Sequence, residues 1–198
     1  MGEMRVMKFL FCFLLFGGVL AANASAGEVT PGPSFSLVDQ HGKAVTEASL
    51  KGKPTVLHFG FTHCPVICPT TLYEVAGRMR DLGPVAGDIR FVFATVDPER
   101  DTVDVLKTYI ENFDERIIGL TGTLDNVTQL AKGLGASFAK RPRKDGGYDF
   151  DHTIFAYLLD RDWKKVGVLY IGPGTGGDAV VKKLRALANG TYRRQTGG

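Results

Sequence analysis

The stretch PTVLHFGFTHCPVICP, residues 54–69, joins an apolar run to two closely spaced cysteines. The run at 54–61 is typical of a strand buried on both faces of a sheet. A helical pattern over about 69–82 and a second apolar run at 89–96 follow it. We place Pro69 at the first helical position, Cys68 near the cap and Cys64 in the preceding turn. Both cysteines therefore lie at the carboxyl edge of the predicted sheet, where sites in α/β folds gather.

The remaining chain predicts an α/β domain with a mixed sheet flanked by helices. Residues 35–38 and 43–46 indicate an N-terminal hairpin about the turn at 39–42, and 153–160 with 166–171 indicate a second one. Two helices precede the second hairpin and one follows it. Their apolar stripes are Leu106, Tyr109, Ile110 and Phe113; Val127, Leu130, Ala131 and Leu134; and Val180, Val181, Leu184 and Leu187. The predicted order is β-α-β-α-α-β-β-α.

Composition bounds the class of protein. A chain of 198 residues that is 44% hydrophobic can bury the core of one domain. Its net charge is +3, and no basic run suggests a nucleic-acid footprint.

The first 26 residues resemble a secretory signal. Arg5 and Lys8 precede an apolar run at 9–20, and Ala24-Ser25-Ala26 fits the small-residue cleavage pattern, with Ala22-Asn23-Ala24 as a second candidate. The run is shorter than the roughly 20 residues that span a bilayer. We expect cleavage after Ala26, a domain at 27–198 and a periplasmic or exported protein, anchored to a membrane only if the segment is retained.

Removal of this segment, which carries Cys12, leaves Cys64 and Cys68 as the only cysteines. A disulfide between these two cysteines would add little stability, because closing so short a loop removes little chain entropy. Thiolates at a helix N-terminus are stabilised for redox chemistry and for metal binding alike. The local pattern therefore leaves both functions open.

The three residues between the cysteines let two sulfurs face a common point without forcing them into a bond. Two thiolates and an imidazole suit copper(I). Of the four histidines, we expect His58 to be a hydrogen-bonded core residue, His41 to lie on the surface, and His63 to point away from Cys64. His152 precedes the strand that should face the cysteines, at the place where thioredoxin-like proteins carry a cis-proline. It is the candidate nitrogen ligand.

At this point the chain resembles the Sco/SenC proteins, which are thioredoxin-fold copper proteins of cytochrome c oxidase assembly. The resemblance covers about residues 30–190 and is carried by FGFTHCPVICPTTL (59–72), TVDPERDT (95–102), GLTGT (119–123) and DHTIFAYLLD (151–160). It implies a thioredoxin-like fold, copper ligation by Cys64, Cys68 and His152, and copper delivery to the binuclear site of the oxidase. The implied partners are the copper-bearing oxidase subunit or its assembly factors and a periplasmic thiol reductase.

One departure from the family pattern lies inside the motif. The family commonly has an aspartate where this chain has Val66, which removes a negative charge beside the site. Asp151 is a candidate to orient the His152 ring, or else a solvated loop charge. The segment 97–101 is expected to form a turn and a helix start.

Two enzymatic alternatives share the fold. A periplasmic thiol–disulfide oxidoreductase that reduces cysteines of an exported copper protein would use Cys64 and Cys68 as its redox pair, although the wider spacing and His152 in place of the cis-proline count against it. A peroxidase would use Cys64 as a peroxide-reactive thiolate, and neither the paired prolines nor His152 adds support for it.

Overall fold

The computed structural model describes residues 30–192, so the predicted signal segment and Cys12 lie outside the described part. The strands are β1 (Thr30–Pro31), β2 (Ser36–Asp39), β3 (Ala44–Thr46), β4 (Thr55–Gly60), β5 (Arg90–Thr95), β6 (Ile117–Thr121), β7 (Phe138–Pro142), β8 (Tyr148–His152), β9 (Ala156–Leu159) and β10 (Lys164–Leu169). The α-helices are α1 (Glu47–Leu50), α2 (Ile67–Leu82), α3 (Val103–Glu111), α4 (Leu124–Leu134) and α5 (Gly177–Ala188), and a 3-10 helix spans Gly83–Asp88.

Eight strands form one mixed sheet in the order β1-β10-β9-β4-β5-β6-β2-β3. The central strands β4, β5 and β6 run parallel, and β9 pairs antiparallel with β4. All six residues of β4 are buried, as the apolar run predicts. Both predicted hairpins are present, as β2–β3 and β9–β10. The mixed sheet with flanking helices confirms the predicted fold class.

Helices pack against the sheet and against one another. The ring of Tyr109 in α3 lies 5.9 Å from that of Phe93 in β5. A Cβ on Gly60 would come within 2.9 Å of Cys68 Sγ, so β4 and the start of α2 are in direct contact. Helix α5 packs against α2, and α4 packs against β2.

Within residues 30–192, no helix combines the length and the apolar character needed to cross a membrane.

Two elements differ from the sequence prediction. Strand β6 separates α3 from α4, where we expected two consecutive helices, because a five-residue run with a central glycine gives only a weak strand pattern. Helix α2 begins at Ile67, two residues before the predicted start. The first four N–H groups of a helix have no partner within it, so Pro69 in the third position costs no helical hydrogen bond.

A second, two-stranded sheet is formed by β7 and β8. The sequence at 141–151 is polar, and no strand was predicted there. Alternation along β8 instead places Tyr148, Phe150 and His152 on one face. The Phe150 ring packs 5.7 Å from Phe61 and 6.0 Å from Phe138, measured between ring centres. These aromatic contacts hold the β7–β8 hairpin against the end of β4.

Candidate metal centre

The two cysteines lie on either side of the start of α2. Cys64 is half-buried in the loop after β4, and Cys68 is buried in the first turn of the helix. The Cys68 backbone N–H donates to Cys64 Sγ over 3.4 Å. Among the residues that the structure describes, both are free thiols. This arrangement matches the predicted strand–turn–helix placement, with Cys68 inside the helix rather than at its cap.

His152 is the last residue of β8, and it lies opposite Cys68. Its Nε2 atom is 3.6 Å from Cys68 Sγ, and its Nδ1 atom is 3.0 Å from the carbonyl oxygen of Thr153. A carbonyl oxygen only accepts, so Nδ1 carries the hydrogen and Nε2 keeps a free lone pair towards the sulfur. The ring also packs edge-on against Phe61, with ring centres 5.9 Å apart. The backbone therefore fixes both the tautomer and the orientation of the ring.

Asp151 does not orient His152, so the first of its two predicted roles is wrong. Its Oδ1 atom lies 3.4 Å from Arg141 Nε, and both side chains are exposed. Neighbouring residues on a strand point to opposite faces, so Asp151 faces away from the ring of His152. The carbonyl of Thr153 takes the orienting role instead.

The other histidines occupy different environments. His41 is exposed in the turn between β2 and β3. His63 turns away from Cys64, since its Nδ1 atom lies 3.1 Å from Thr62 Oγ1 and 3.7 Å from Asp101 Oδ1. Both follow the sequence prediction.

His58 is buried, as predicted, but it is not the hydrogen-bonded core residue that we expected. Within residues 30–192, neither of its ring nitrogens has a hydrogen-bond partner. The burial of His58 was predicted correctly, because the residue lies in a central strand. Its hydrogen bonding was not, because that depends on which side chains pack around the ring. Burial lowers the pKa of His58 to about 3, so the ring is neutral at physiological pH.

The surroundings of the two thiols shift their pKa values in opposite directions. The hydrogen bond from the Cys68 thiol, together with backbone N–H groups of Cys68 and Val66, lowers the pKa of Cys64. The same shared hydrogen, together with burial, raises the pKa of Cys68. The copper-free pair therefore holds one proton, with the thiolate at the half-exposed Cys64.

Asp101 holds the loop that leads to Cys64. Its carboxylate accepts from the Thr62 backbone N–H at 3.0 Å, from Thr62 Oγ1 at 2.6 Å and from Thr95 Oγ1 at 2.5 Å. The side chain of Asp101 is fully buried. The sequence predicts only a turn and a helix start here, because the partners of Asp101 are up to 39 positions away and leave no local signal.

A second set of contacts fastens the β7–β8 hairpin. Asp97 accepts from Arg100 Nε and, over 3.1 Å, from the Tyr148 hydroxyl. The Arg100 guanidinium stacks 3.8 Å from the centre of the Tyr148 ring and donates to the Tyr148 carbonyl over 3.3 Å. The segment 97–101 therefore supports the cysteine loop through one carboxylate and the histidine strand through another.

The exposed edge of the site combines apolar side chains with the charged Arg141, Asp149 and Asp151. Val66 is 61% exposed, and Ile67 and Ile154 are also exposed. Beside them lies a groove of about 320 Å³, whose lining includes Cys64, His152 and Phe150. Val66 points to solvent and has no donor atom, so it supplies neither a ligand nor a charge.

The donor set of Cys64, Cys68 and His152 suits a soft, thiophilic ion. Two sulfurs and one neutral imidazole nitrogen match the preference of copper(I). The lone pair of Nε2 is already free, and the thiols need to release only one further proton. The residues present therefore fit a copper(I) ion.

Comparison with known proteins agrees with this chemistry. The SCO1/SenC family model matches residues 23–189. "Protein SCO1 homolog 1, mitochondrial" of Arabidopsis thaliana is 42% identical over 136 residues, which is 68% of this chain and 41% of that protein. The chain spans about half the length of the curated relatives that it matches, from 41% to 57% for three of them.

Two solved structures share the fold. Bradyrhizobium japonicum ScoI with copper bound is 39% identical, covers 80% of this chain and 99% of that one, and has a TM-score of 0.74. BsSco, described as having a disulfide switch and as a member of the Sco family of cytochrome c oxidase assembly proteins, is 25% identical. That structure covers 81% of this chain and 95% of that one, with a TM-score of 0.66.

Proposed function

The chain belongs to the SCO1/SenC family, and on this basis we propose that it is a copper metallochaperone of cytochrome c oxidase assembly. It delivers copper to, or prepares, the binuclear copper site of the oxidase. The copper-bound relative and the described assembly role of another member support the proposal. Copper is the cargo of this protein rather than a permanent cofactor.

The proposed copper ligands are the thiolates of Cys64 and Cys68 and Nε2 of His152. One observation carries this assignment: Nε2 faces Cys68 Sγ at 3.6 Å while Nδ1 is held by the Thr153 carbonyl. A histidine that donates through its other nitrogen is the usual arrangement in metal sites. The ring is thus held ready for a metal before any ion arrives.

Release of the cargo would use the exposed edge of the site. Cys64 is half-buried and borders the groove, whereas Cys68 is buried. An incoming ligand from the acceptor protein can reach the ion from the Cys64 side and displace the donors one at a time. The exposed apolar side chains of Val66, Ile67 and Ile154 would be covered by the acceptor during this exchange.

The proposed location is the periplasm or another exported compartment. Residues 1–26 are proposed to be a signal segment cleaved after Ala26, and membrane attachment applies only if that segment is retained. N-terminal sequencing of the protein isolated from its own compartment tests this point. A mature N-terminus at Gly27 is expected, and an intact Met1 would contradict cleavage.

Copper binding is tested by competition between the reduced protein and a chromophoric copper(I) chelator. Copper(I) affinity should fall at least about 100-fold in each of the variants Cys64→Ser, Cys68→Ser and His152→Ala. Such a loss exceeds the usual effect of removing a residue that only supports a ligand. His41→Ala is the matched control, because His41 is exposed and remote from the sulfurs, and it should bind normally. Unchanged affinity in Cys64→Ser and His152→Ala would contradict the assignment.

Delivery is tested with the soluble copper domain of the oxidase subunit from the same organism. After transfer of copper(I) and one-electron oxidation with added ferricyanide, that domain should show the visible absorption of a mixed-valence binuclear centre, and the same treatment with protein carrying Cys64→Ser should not give it. Failure of transfer from a fully loaded wild-type protein would leave copper binding intact but contradict delivery.

A second role, in thiol–disulfide exchange, is favoured by the unequal thiols. A half-exposed thiolate beside a buried thiol is the arrangement of an attacking and a resolving cysteine. Cys64 would attack a substrate disulfide, and Cys68 would then release the reduced substrate, leaving a Cys64–Cys68 disulfide and two substrate thiols. Pre-reduced protein should reduce one equivalent of an exported protein's disulfide. Reduction that persists in His152→Ala but is lost in Cys64→Ser would support this role, and no reduction by the wild type would exclude it.

A further inference from the structure

His58 is the one neutral, fully buried imidazole near the proposed copper ligands. Only 3% of its surface is exposed, and across residues 30–192 neither ring nitrogen finds a hydrogen-bond partner. Burying polar atoms without partners destabilises a fold, so such groups in a native structure require a physical explanation. The SCO1/SenC assignment does not provide one.

The position of His58 brings its ring to the copper ligands. His58 and Gly60 are two residues apart on β4 and therefore share a face of the sheet. Cys68 Sγ lies directly over Gly60, because a Cβ there would approach it to 2.9 Å. The His58 ring is also edge-on to the ring of His152, with ring centres 6.2 Å apart. The ring of His58 thus lies beside that of His152, on the same face of the sheet as Cys68.

The separation between the two imidazoles suits a shared ion. With nitrogen–metal bonds of about 2.0 Å, two imidazoles on one ion have ring centres about 4.5 Å apart when the angle at the metal is about 90° and about 6.3 Å apart when they lie opposite each other. The observed 6.2 Å is close to the larger value, so it suits two imidazoles on nearly opposite sides of the ion. The interplanar angle of 77° keeps the two rings from stacking, so their edges can face a common point.

Copper(II) needs one donor more than the three proposed ligands provide. Copper(I) is satisfied by two sulfurs and one nitrogen, whereas copper(II) favours a tetragonal set of four. Val66, which stands where the family commonly has an aspartate, has no donor atom and points to solvent. The interior side of the site, in contrast, holds the unpartnered nitrogens of His58.

We propose that His58 is the fourth ligand of a copper(II) ion bound by Cys64, Cys68 and His152. The inference rests on the proposed copper site and extends it from copper(I) to copper(II). The protein would then hold the two oxidation states with different ligand sets, with His58 bound only in the oxidised form.

A hydrogen bond to one buried water is the competing explanation. His58 and Thr71 border a cavity of about 10 Å³, which is near the lower limit for a single water. One water between His58 and Thr71 partners only one of the two ring nitrogens. The other nitrogen remains available to a metal, so this cavity does not account for the whole side chain.

The decisive experiment counts imidazoles on copper(II) without altering the packing. The full-length reduced protein receives one equivalent of copper(II) without oxygen, and pulsed electron paramagnetic resonance compares samples with ¹⁴N- and ¹⁵N-histidine. Two equatorial imidazoles are expected. A single imidazole in the wild-type protein would overturn the inference and leave the three proposed ligands untouched.

Variants assign the second imidazole. His58→Gln keeps a polar side chain of similar size and should show one imidazole, at least about tenfold weaker copper(II) binding and unchanged copper(I) binding. His41→Gln is the control and should retain two imidazoles. If His58→Gln also retains two, the second ligand is another histidine and the inference is wrong. Loss of copper in both oxidation states from the wild type would instead overturn the proposed function and this inference together.

Discussion

The carboxylate of Asp101 binds Thr62 through both its backbone N–H, at 3.0 Å, and its hydroxyl, at 2.6 Å. Thr62 lies two positions before Cys64, so a buried acid at the start of the neighbouring helix sets the path of the cysteine loop. Because Asp101 is fully buried and also accepts from Thr95, it has little freedom to move. The loop is held by hydrogen bonds to a charged group, which are stronger than neutral ones.

Replacing Thr62 with valine should weaken copper binding without unfolding the protein. The variant keeps the shape of the side chain and the backbone bond but loses the 2.6 Å contact. Loss of a supporting contact costs about 10–100-fold in metal affinity, and we expect the lower half of this range for copper(I), measured by chelator competition.

The matched control for that variant is Thr123→Val, which removes the cap of α4. It should lower the free energy of unfolding by about 1 kcal/mol while copper affinity stays the same. Equal losses of copper affinity in the two variants would show that general destabilisation, not the cysteine loop, is responsible.

Replacing Tyr148 with phenylalanine should loosen the β7–β8 hairpin. The variant removes the hydroxyl that donates to Asp97 over 3.1 Å but keeps the ring that stacks on Arg100. We expect faster amide hydrogen exchange across β8 and a copper(I) affinity lower by about tenfold, because His152 ends that strand. Tyr73→Phe, at an exposed tyrosine, is the control. Unchanged amide hydrogen exchange in β8 would show that the Tyr148 hydroxyl does not hold the β7–β8 hairpin in place.

Acid should destabilise the copper-free protein through His58. The pKa of His58 is about 3 in the folded chain and about 6.5 when unfolded, so between these values the unfolded chain binds more protons. The contribution of neutral His58 to the free energy of unfolding is fully present above pH 6.5. It is lost as the pH falls from 6.5 towards 3. Between pH 7.5 and 4.5, His58 should account for about 3 kcal/mol of lost unfolding free energy.

Urea unfolding at the two pH values measures this effect. His58→Phe cannot take up a proton and should therefore lose about 3 kcal/mol less than the wild type over that interval. His41→Phe changes an exposed ring and should follow the wild type. Parallel losses in the wild type and His58→Phe would mean that other groups govern acid unfolding.

Alkylation should distinguish the two cysteines. Cys64 is half-buried and its pKa is lowered, whereas Cys68 is buried and its pKa is raised. In copper-free protein at pH 6, iodoacetamide should modify Cys64 first, and peptide mass spectrometry identifies the site. Both should react at similar rates in denaturant. Faster modification of Cys68 in the folded protein would contradict this assignment of the thiolate.

The sequence best predicts the structural features that depend on residues close together along the chain. The six-residue strand β4 and the turn and helix after it carry strong local patterns, so both cysteines were placed correctly to within one or two residues. His152 was singled out, but its strand was not, because the charges of 140–151 hide the alternation of Tyr148 and Phe150. Strand β6 was missed because five residues around a glycine give little periodic signal.

Supporting contacts could not be read from local pattern. Asp101 meets Thr62 across 39 positions and Tyr148 meets Asp97 across 51. Nothing in the spacing of these residues signals that their side chains meet. The unpartnered state of His58 was beyond prediction for the same reason, since it depends on every side chain that surrounds the ring.

The distance along the chain between the cysteines and His152 has a mechanical meaning. Cys68 and His152 are 84 positions apart, and the second belongs to a separate small sheet. An ion bound to both would act as a reversible cross-link that closes a long loop and restricts the unfolded chain. The loaded protein would resist being pulled apart between these points, and it would give up that reinforcement in the same event in which it hands over its cargo.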